Sequence, residues 1–486
     1  MHSVKESRIV KTSNKTLNVK LLYIKLSKYL HMFSIVGVVY FFLNESIEHA
    51  LIYVLFCFVF YFLSFVVFYK INSIFIKINF IFFYIGYLLS MPIVFYNSEK
   101  YKEAIWHSIG FYKFDYSQTF DALAVITAYL SLFVIIALIF DKLLLKPYQL
   151  NTPYGHNNIF QNLSRYSKYS FVLIALIMLQ FFLSYIMFTY RIGIVGIRPE
   201  ANLPFRIAGI LYYYRYLVIP IIIFLLIFSN HNKKNYIILF LVLIEALVSG
   251  IFSVSRVIVV FHLLPVILFL IYKGRKVALG GVVVYAILTI YFVTMTREFV
   301  FSLDDFHSVN LSNLFDFYKF YDNTTLKNLS DMFFTMVTRI QGYLEFLPTF
   351  FRDSKYIDTN IFLNEHLGFK SLNYGDFIVS RDIFNVDLPA EKTFGMSIDP
   401  FSYLYVSTKN AFDTLALFFL WVMYLILTEK ILNTVFKAYR NNIVYILFLN
   451  FYITLGYILP LMKSVFILAP VLLLLAHILI PRKKIH

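Results

Sequence analysis

Apolar runs of about 17–22 residues recur along the chain, separated by shorter polar segments. A helix of that length spans the hydrocarbon core of a bilayer. Because 60% of the 486 residues are hydrophobic, a water-soluble fold would lack the polar side chains needed to cover its surface. A membrane β-barrel would instead show alternating segments of about ten residues. The runs therefore predict an all-α polytopic membrane protein.

The runs predict about twelve transmembrane helices, with one membrane domain covering residues 1–486. The only long interruption is a loop at 296–411, between the ninth and tenth spans. No repeat of fixed period and no linker divides the chain. The predicted spans are 29–43, 49–69, 78–96, 120–140, 169–190, 207–228, 236–253, 257–272, 277–295, 412–428, 443–459 and 465–480.

Lysine and arginine cluster in the N-terminal segment 1–28, in every second loop and at the C-terminus. The positive-inside rule therefore places both termini in the cytoplasm. Residues 17–28 are also typical of a basic interfacial segment ahead of the first span. This rule accounts for the net charge of +16, so membrane lipids are expected as neighbours and nucleic acid is not expected as a partner.

Few residues suit a metal or nucleotide cofactor. The single cysteine, Cys57, excludes intramolecular disulfides and thiolate metal clusters. No Walker motif and no HExxH motif occurs. Asp304 and Asp305 form an acidic pair in the late loop, but the first outer loop carries only Glu45 and Glu48. We therefore expect no metal and no cofactor.

Arginine is unusually frequent on the predicted outer side, where topology does not require positive charge. Arginine binds phosphate and carboxylate through two parallel hydrogen bonds and stays protonated. The bias therefore favours an anionic ligand at the outer face. The alternative is scattered loop arginines paired with local acids. The outer arginines are Arg191, Arg198, Arg206, Arg215, Arg256, Arg297, Arg339, Arg352 and Arg381.

The loop 296–411 is long enough to carry its own structure, and such loops are often functional. Apolar residues at helical spacing predict a helix from Ser330, with Arg339 off the apolar stripe. Glu365 and His366 follow in NEHLGF, and either could take a proton from a hydroxyl. The alternative is a surface histidine beside an acid. Aromatic residues in the loop suit sugar rings or the loop's own core.

Three ionisable residues lie within predicted spans, each roughly 9–12 Å below the outer end. They are Arg215, Glu245 and His262. Ionisable groups at this depth usually face a cavity or one another. We predict an outward-opening polar pocket with Glu245 facing His262 and with Arg206, Arg215 and Arg256 at its rim. The alternative is a structural ion pair.

Several segments together resemble one family, the Wzy-type polymerases of O-antigen or capsule repeat units. They are the outer-loop stretch GIRPEANLPFRIAGILYYYR, the Ser255–Arg256 turn, and the late loop with TRIQGYLEF and NEHLGF. The resemblance covers most of the length and depends on architecture more than on a signature. It implies a GT-C-like membrane glycosyltransferase, related to O-antigen ligases, at the outer face of the bacterial inner membrane.

The resemblance also implies a reaction. Such enzymes move a glycan from one undecaprenyl diphosphate to a second lipid-linked repeat unit, so lipid-linked oligosaccharide is both donor and acceptor. It implies that arginines hold the diphosphate, which here would be Arg198, Arg206, Arg256 and Arg339. Related ligases use a loop histidine near the acceptor, for which His366 or Glu365 is the nearest analogue. A chain-length regulator protein is an expected partner.

Two other functions fit the same pattern. A flippase for lipid-linked oligosaccharide would share the spans and the basic charge, but it would not need the long outer loop. An O-antigen ligase would share the architecture and differ in its acceptor. A structural or receptor protein would explain neither the outer arginines nor the three intramembrane groups.

Overall fold

The computed structural model describes residues 19–96, 116–145, 170–192, 235–272, 274–302 and 411–436, with the single residues 194, 211, 214, 215, 220, 227, 401, 404 and 405. Regular structure in this part of the chain is entirely helical. Six of its helical segments are long and apolar enough to cross a membrane, and three shorter helices are also apolar. The chain is therefore a helical, membrane-embedded protein.

The described helices coincide with the first five predicted spans, with the seventh to the ninth, and with the tenth. Of the predicted sixth span only single residues are described, and 443–459 and 465–480 lie outside the described residues. In chain order the helices are α1 (Val19–Asn44), α2 (Ile47–Lys70), α3 (Ile74–Phe83), a π-helical turn (Tyr84–Leu89), α4 (Ser90–Tyr96), α5 (Tyr116–Leu144), α6 (Ser170–Thr189), α7 (Asn235–Ser253), α8 (Arg256–Tyr272), α9 (Lys276–Ser302) and α10 (Ala411–Phe436).

Helix boundaries differ from the sequence prediction at three places. Helix α1 begins at Val19, so most of the predicted interfacial segment continues into the first span. Helix α9 extends to Ser302, so the first residues of the predicted loop are helical. At the other end of that loop Phe401 and Leu404 are fully buried. The helix predicted from Ser330 lies outside the described residues.

The helices divide into two packed groups, one of α1 to α5 with α10 and one of α6 to α9. Large apolar side chains point outward from both groups, as expected for surfaces that face lipid. In α2, for example, Phe58 and Phe62 are 67% and 59% exposed while Phe60 is fully buried. Helix α2 thus has an inward and an outward apolar face, whereas α3 has no exposed residue.

Aromatic rings fill the centre of the first group. Phe401, from the end of the long loop, stacks on Tyr87 with ring centroids 5.0 Å apart and lies 4.9 Å from Phe83. Trp421 of α10 packs at 5.0 Å from Phe133 of α5. The loop therefore returns into the helix bundle before α10 begins.

The π-helical turn in the third span is followed by a proline in α4. Proline has no N–H, so Pro92 cannot donate to the carbonyl of Leu88 four residues earlier. The hydroxyl of Tyr53 on α2 donates to that carbonyl instead, at 3.0 Å. Gly37 of α1 makes room for this contact, since a Cβ there would lie 2.6 Å from the Tyr53 hydroxyl. Gly37, Tyr53 and Pro92 thus lie together where α1, α2 and α4 pack against one another.

Candidate functional site

Helix α7 carries a polar row in an otherwise apolar sequence. Glu245, Ser249 and Ser253 are four residues apart, so they lie on one face of the helix. All three are buried, with Glu245 only 1% exposed. Because such residues are costly in a membrane interior, they need partners from neighbouring helices.

The carboxylate of Glu245 has a partner on each oxygen. Its Oε2 lies 2.6 Å from Nδ1 of His262 on α8, and the Ser249 hydroxyl donates to its Oε1. His262 is itself only 3% exposed. The contact that we expected between Glu245 and His262 is therefore present, and it joins α7 to α8.

Arg215 extends this row toward the end of α7. Its Nη2 donates to the carbonyl of Ser249 at 3.0 Å and to the hydroxyl of Ser253 at 3.3 Å, and its Nη1 lies 3.8 Å from the sulfur of Met187. A cation at the C-terminal end of a helix is stabilised by the helix dipole. Arg215 is 1% exposed, so its guanidinium is enclosed rather than placed at an open rim as we expected.

Helix α6 contributes two further polar side chains, which contact Ser249 and Arg215. The hydroxyls of Ser184 and Ser249 lie 2.9 Å apart, and Gln180 Nε2 donates to the Arg215 carbonyl at 3.5 Å. We call this connected set the polar seam, and it crosses three helices as well as the Arg215 segment. Its members are Gln180, Ser184, Arg215, Glu245, Ser249, Ser253 and His262.

In the polar seam, buried atoms of Gln180 and of His262 have no hydrogen-bond partner among the described residues. They are Oε1 of Gln180 and Nε2 of His262. Buried polar atoms are nearly always paired, because an unpaired one costs about 1–3 kcal/mol. The residues of the polar seam on α7 are therefore hydrogen-bonded to their neighbours, whereas Gln180 and His262 each keep a buried atom without a partner among the described residues.

Close helix packing holds the polar seam in place. A Cβ at Gly250 would lie 2.4 Å from Val259 on α8 and 3.0 Å from Val293 on α9. The turn between α7 and α8 passes through Val254 with φ of 52°, and the Ser255 N–H donates to the Gly250 carbonyl at 3.1 Å. Gly250 and this tight turn together bring the Glu245 and His262 helices into contact.

Of the proposed diphosphate ligands, only Arg256 falls in the described part of the chain. It is the first residue of α8 and is half-buried, close to the end of the polar seam. Arg198, Arg206 and Arg339 lie outside the described residues, as do the catalytic candidates Glu365 and His366. Their roles stay predictions. Among the described residues, no group of three or more histidine, cysteine or acidic side chains could hold a metal ion.

A second buried acidic cluster was missed by the sequence analysis. Asp141 of α5 accepts the backbone N–H groups of Asn72 and Ser73 at 2.9 and 2.7 Å. Glu429 of α10 accepts the N–H groups of Ile74 and Phe75 at 2.9 and 3.0 Å, together with the Ser73 hydroxyl. We call this cluster the α3 anchor. An acid directly after each of two predicted spans was its only sequence signal.

A second hydrogen-bonded histidine, the half-buried His31 of α1, lies in the first helix group. Its Nδ1 is 2.9 Å from the Tyr84 hydroxyl and its Nε2 is 3.0 Å from the Ser64 hydroxyl. The Tyr61 ring packs 4.6 Å away. Both ring nitrogens of His31 are therefore paired, whereas Nε2 of His262 has no partner among the described residues.

The polar seam thus combines an enclosed cation, a carboxylate and a histidine near one end of the α7–α8 hairpin. Such a set can hold an anion or move a proton. No known protein family, curated protein or solved structure matches this chain.

Proposed function

We propose that this chain is a membrane glycosyltransferase that polymerises undecaprenyl-diphosphate-linked repeat units into O-antigen or capsular polysaccharide. The reaction would take place at the outer face of the bacterial inner membrane, with the twelve-span GT-C-like architecture that the sequence predicts. The observation that carries the proposal is the gathering of Arg215 and Arg256 at one end of the α7–α8 hairpin. Arg215 contacts Ser253, the last residue of α7, and Arg256 opens α8 three residues later.

Charge at this end of the hairpin favours an anion. Glu245 and the C-terminal end of α7 offset the charge of Arg215. Arg256 stands at the N-terminus of α8, where the helix dipole adds further positive charge. A lipid diphosphate at the membrane surface would meet this positive end of α8. Arg198, Arg206 and Arg339 would complete the site from the outer loops.

The diphosphate would serve as the leaving group. The acceptor hydroxyl attacks the anomeric carbon of the donor glycan while the bond from that carbon to the diphosphate oxygen breaks. Negative charge then grows on the diphosphate, and hydrogen bonds from arginine become stronger as it does. The activated lipid-linked donor supplies the driving force, so no nucleotide sugar is required.

Deletion of the gene in its host, followed by gel analysis of surface glycan, tests the proposal. Loss of a polymerase leaves single repeat units attached to their final carrier, which run as one short band. Loss of a flippase leaves no repeat unit at the surface. Loss of a ligase leaves full-length polymer on the lipid carrier. Either of the last two patterns would refute the polymerase proposal.

Arginine replacement then tests the site. In Arg256→Lys the bidentate contact is lost, and we expect the polymerisation rate to fall by about 10- to 100-fold. Arg275 is the matched control, because it also lies in a tight turn before a helix but is exposed at the predicted cytoplasmic end. Arg275→Lys should leave the glycan ladder unchanged. Equal ladders from both variants would remove Arg256 from the site.

Membrane topology is tested separately. Reporter fusions within 195–206 and within 303–400 should report an extracytoplasmic location, and a fusion after Arg275 should report the cytoplasm. A cytoplasmic location of the first two segments would be incompatible with the proposed site.

A further inference from the structure

His262 and Glu245 form an oriented pair at the centre of the polar seam. Nδ1 of His262 lies 2.6 Å from Glu245, whose other oxygen accepts from Ser249, which in turn lies 2.9 Å from Ser184. A carboxylate on one ring nitrogen fixes the tautomer of a histidine and the orientation of its ring. In a neutral imidazole that donates from Nδ1 to this carboxylate, Nε2 is the nitrogen with the lone pair.

The lone-pair nitrogen has nothing to bind within the described part of the chain. Nε2 of His262 is buried without a hydrogen-bond partner there, although the residue is only 3% exposed. The half-buried His31 gives a comparison within this protein, since hydroxyl groups lie within 3.0 Å of both its ring nitrogens. Among the described residues, His262 differs from it in having an oriented ring with one buried nitrogen that has no partner.

Position supports a role in the transfer reaction. His262 lies less than two helical turns below Arg256, which opens the same helix. Arg215 is one hydrogen bond from Ser249, which also holds Glu245. The group that could take a proton therefore lies on the same helix as Arg256, which would help to hold the diphosphate.

We propose that His262 is the proton acceptor of the glycosyl transfer and that Glu245 is its positioning residue. This inference rests on the proposed polymerase function and adds a residue assignment to it. It places the base inside the helix bundle, whereas the resemblance points to Glu365 or His366 in the long loop.

The step balances without any further reactant. Nε2 of His262 takes the proton of the acceptor sugar hydroxyl as that oxygen bonds to the anomeric carbon of the donor. The bonding pair between the anomeric carbon and the diphosphate leaves with the diphosphate oxygen. The imidazolium that forms keeps its Nδ1–H on the Glu245 carboxylate. It then releases the Nε2 proton to water or to the departing diphosphate.

The test uses the full-length protein in lipid nanodiscs, with lipid-linked repeat units extracted from the deletion strain as substrate. General-base catalysis contributes about 100-fold or more, so His262→Ala should lose about that factor in rate. Added imidazole should restore at least a tenth of the wild-type rate. Pyrazole has the same size and shape but is a much weaker base, so it should restore nothing.

Three results would overturn the inference. They are a His262→Ala rate within twofold of wild type, equal restoration by both azoles, and restoration by neither. His31→Ala is the control for a half-buried, hydrogen-bonded histidine outside the polar seam, and its rate per folded molecule should stay at the wild-type value.

A second variant covers the case in which His262→Ala does not fold. Asparagine places its amide nitrogen near the position of Nδ1, so His262→Asn can keep the contact with Glu245 while removing Nε2. We expect its kcat to fall about 100-fold with KM unchanged. A wild-type kcat would overturn the inference. If the wild-type protein itself makes no polymer from the extracted units, the proposed function fails, and not only the assignment of His262.

Discussion

The α3 anchor and the polar seam are two buried polar clusters with opposite character. In the α3 anchor each carboxylate oxygen of Asp141 and Glu429 accepts at least one hydrogen bond, mainly from backbone N–H groups. In the polar seam Glu245 is fully bonded, yet Nε2 of His262 has no partner among the described residues. Both clusters lie deep in an apolar bundle, so burial alone does not separate a structural cluster from a candidate site.

The difference lies in what the carboxylates hold. Glu429 binds the first N–H groups of α3, which no helix can satisfy internally, and Asp141 binds those of the two preceding residues, so the two acids complete the start of this helix. Glu245 instead binds a histidine and a serine side chain, neither of which the helix backbone requires. Carboxylates that are fully paired with backbone N–H groups indicate a structural role. A histidine that is oriented by a carboxylate and keeps one ring nitrogen without a partner indicates a role in proton transfer.

The largest effect should come from removing an acid of the α3 anchor. Glu429→Ala would leave the N–H groups of Ile74 and Phe75 and the Ser73 hydroxyl buried without their acceptor. We expect a loss of about 3 kcal/mol or more in the free energy of unfolding. Unfolding in mixed detergent micelles measures it. The exposed neighbour gives the control, and Lys430→Ala should change stability by less than about 0.5 kcal/mol.

A smaller loss should follow from separating the helices that form the polar seam. In Gly250→Ala the new Cβ would overlap Val259 and crowd Val293, so α7 must move away from α8 and α9. We expect about 2 kcal/mol of destabilisation and a lower polymerisation rate. Gly281 in α9 has open space around its Cβ position, and Gly281→Ala should be neutral or slightly stabilising. Equal stability of the two variants would contradict the packing described here.

Paired serine replacements compare the two clusters directly. The hydroxyls of Ser73 and Ser249 each donate to a buried glutamate, Glu429 and Glu245 respectively. Ser73→Ala and Ser249→Ala should each cost about 1–2 kcal/mol in unfolding free energy. Only Ser249→Ala should also reduce the polymerisation rate per folded molecule. The same loss of rate in both variants would show that the polar seam has no special role.

The smallest effect concerns a buried hydrogen bond to a neutral carbonyl. Tyr53→Phe removes the donor to the Leu88 carbonyl that Pro92 leaves unpaired. We expect a loss of about 1 kcal/mol in unfolding free energy with no change in glycan length. Tyr61 is 53% exposed, so Tyr61→Phe should have a smaller effect. If Tyr53→Phe were as costly as Glu429→Ala, charge would not distinguish the α3 anchor from an ordinary buried hydrogen bond.

The positions of most described helices could be predicted from the length of the apolar runs, because a helix that crosses a bilayer needs about 20 apolar residues. The contact of Glu245 with His262 was also predictable, since both lie at similar depth on a tight hairpin. The α3 anchor was not, because Ser73 and Glu429 are separated by 356 residues and no local pattern links them. The enclosed position of Arg215 depends on how three helices pack together. The spacing of residues along a single helix does not predict that packing.

The attachment of α3 to α10 also constrains how the protein can be made. A ribosome adds about 5–20 residues per second, so Glu429 emerges roughly 20–70 seconds after Ser73. During that interval α3 is present without the acid that binds its first N–H groups. Helix α3 therefore reaches its final packing only after α10 has been synthesised. A nascent chain that stops before α10 would be a substrate for membrane quality control.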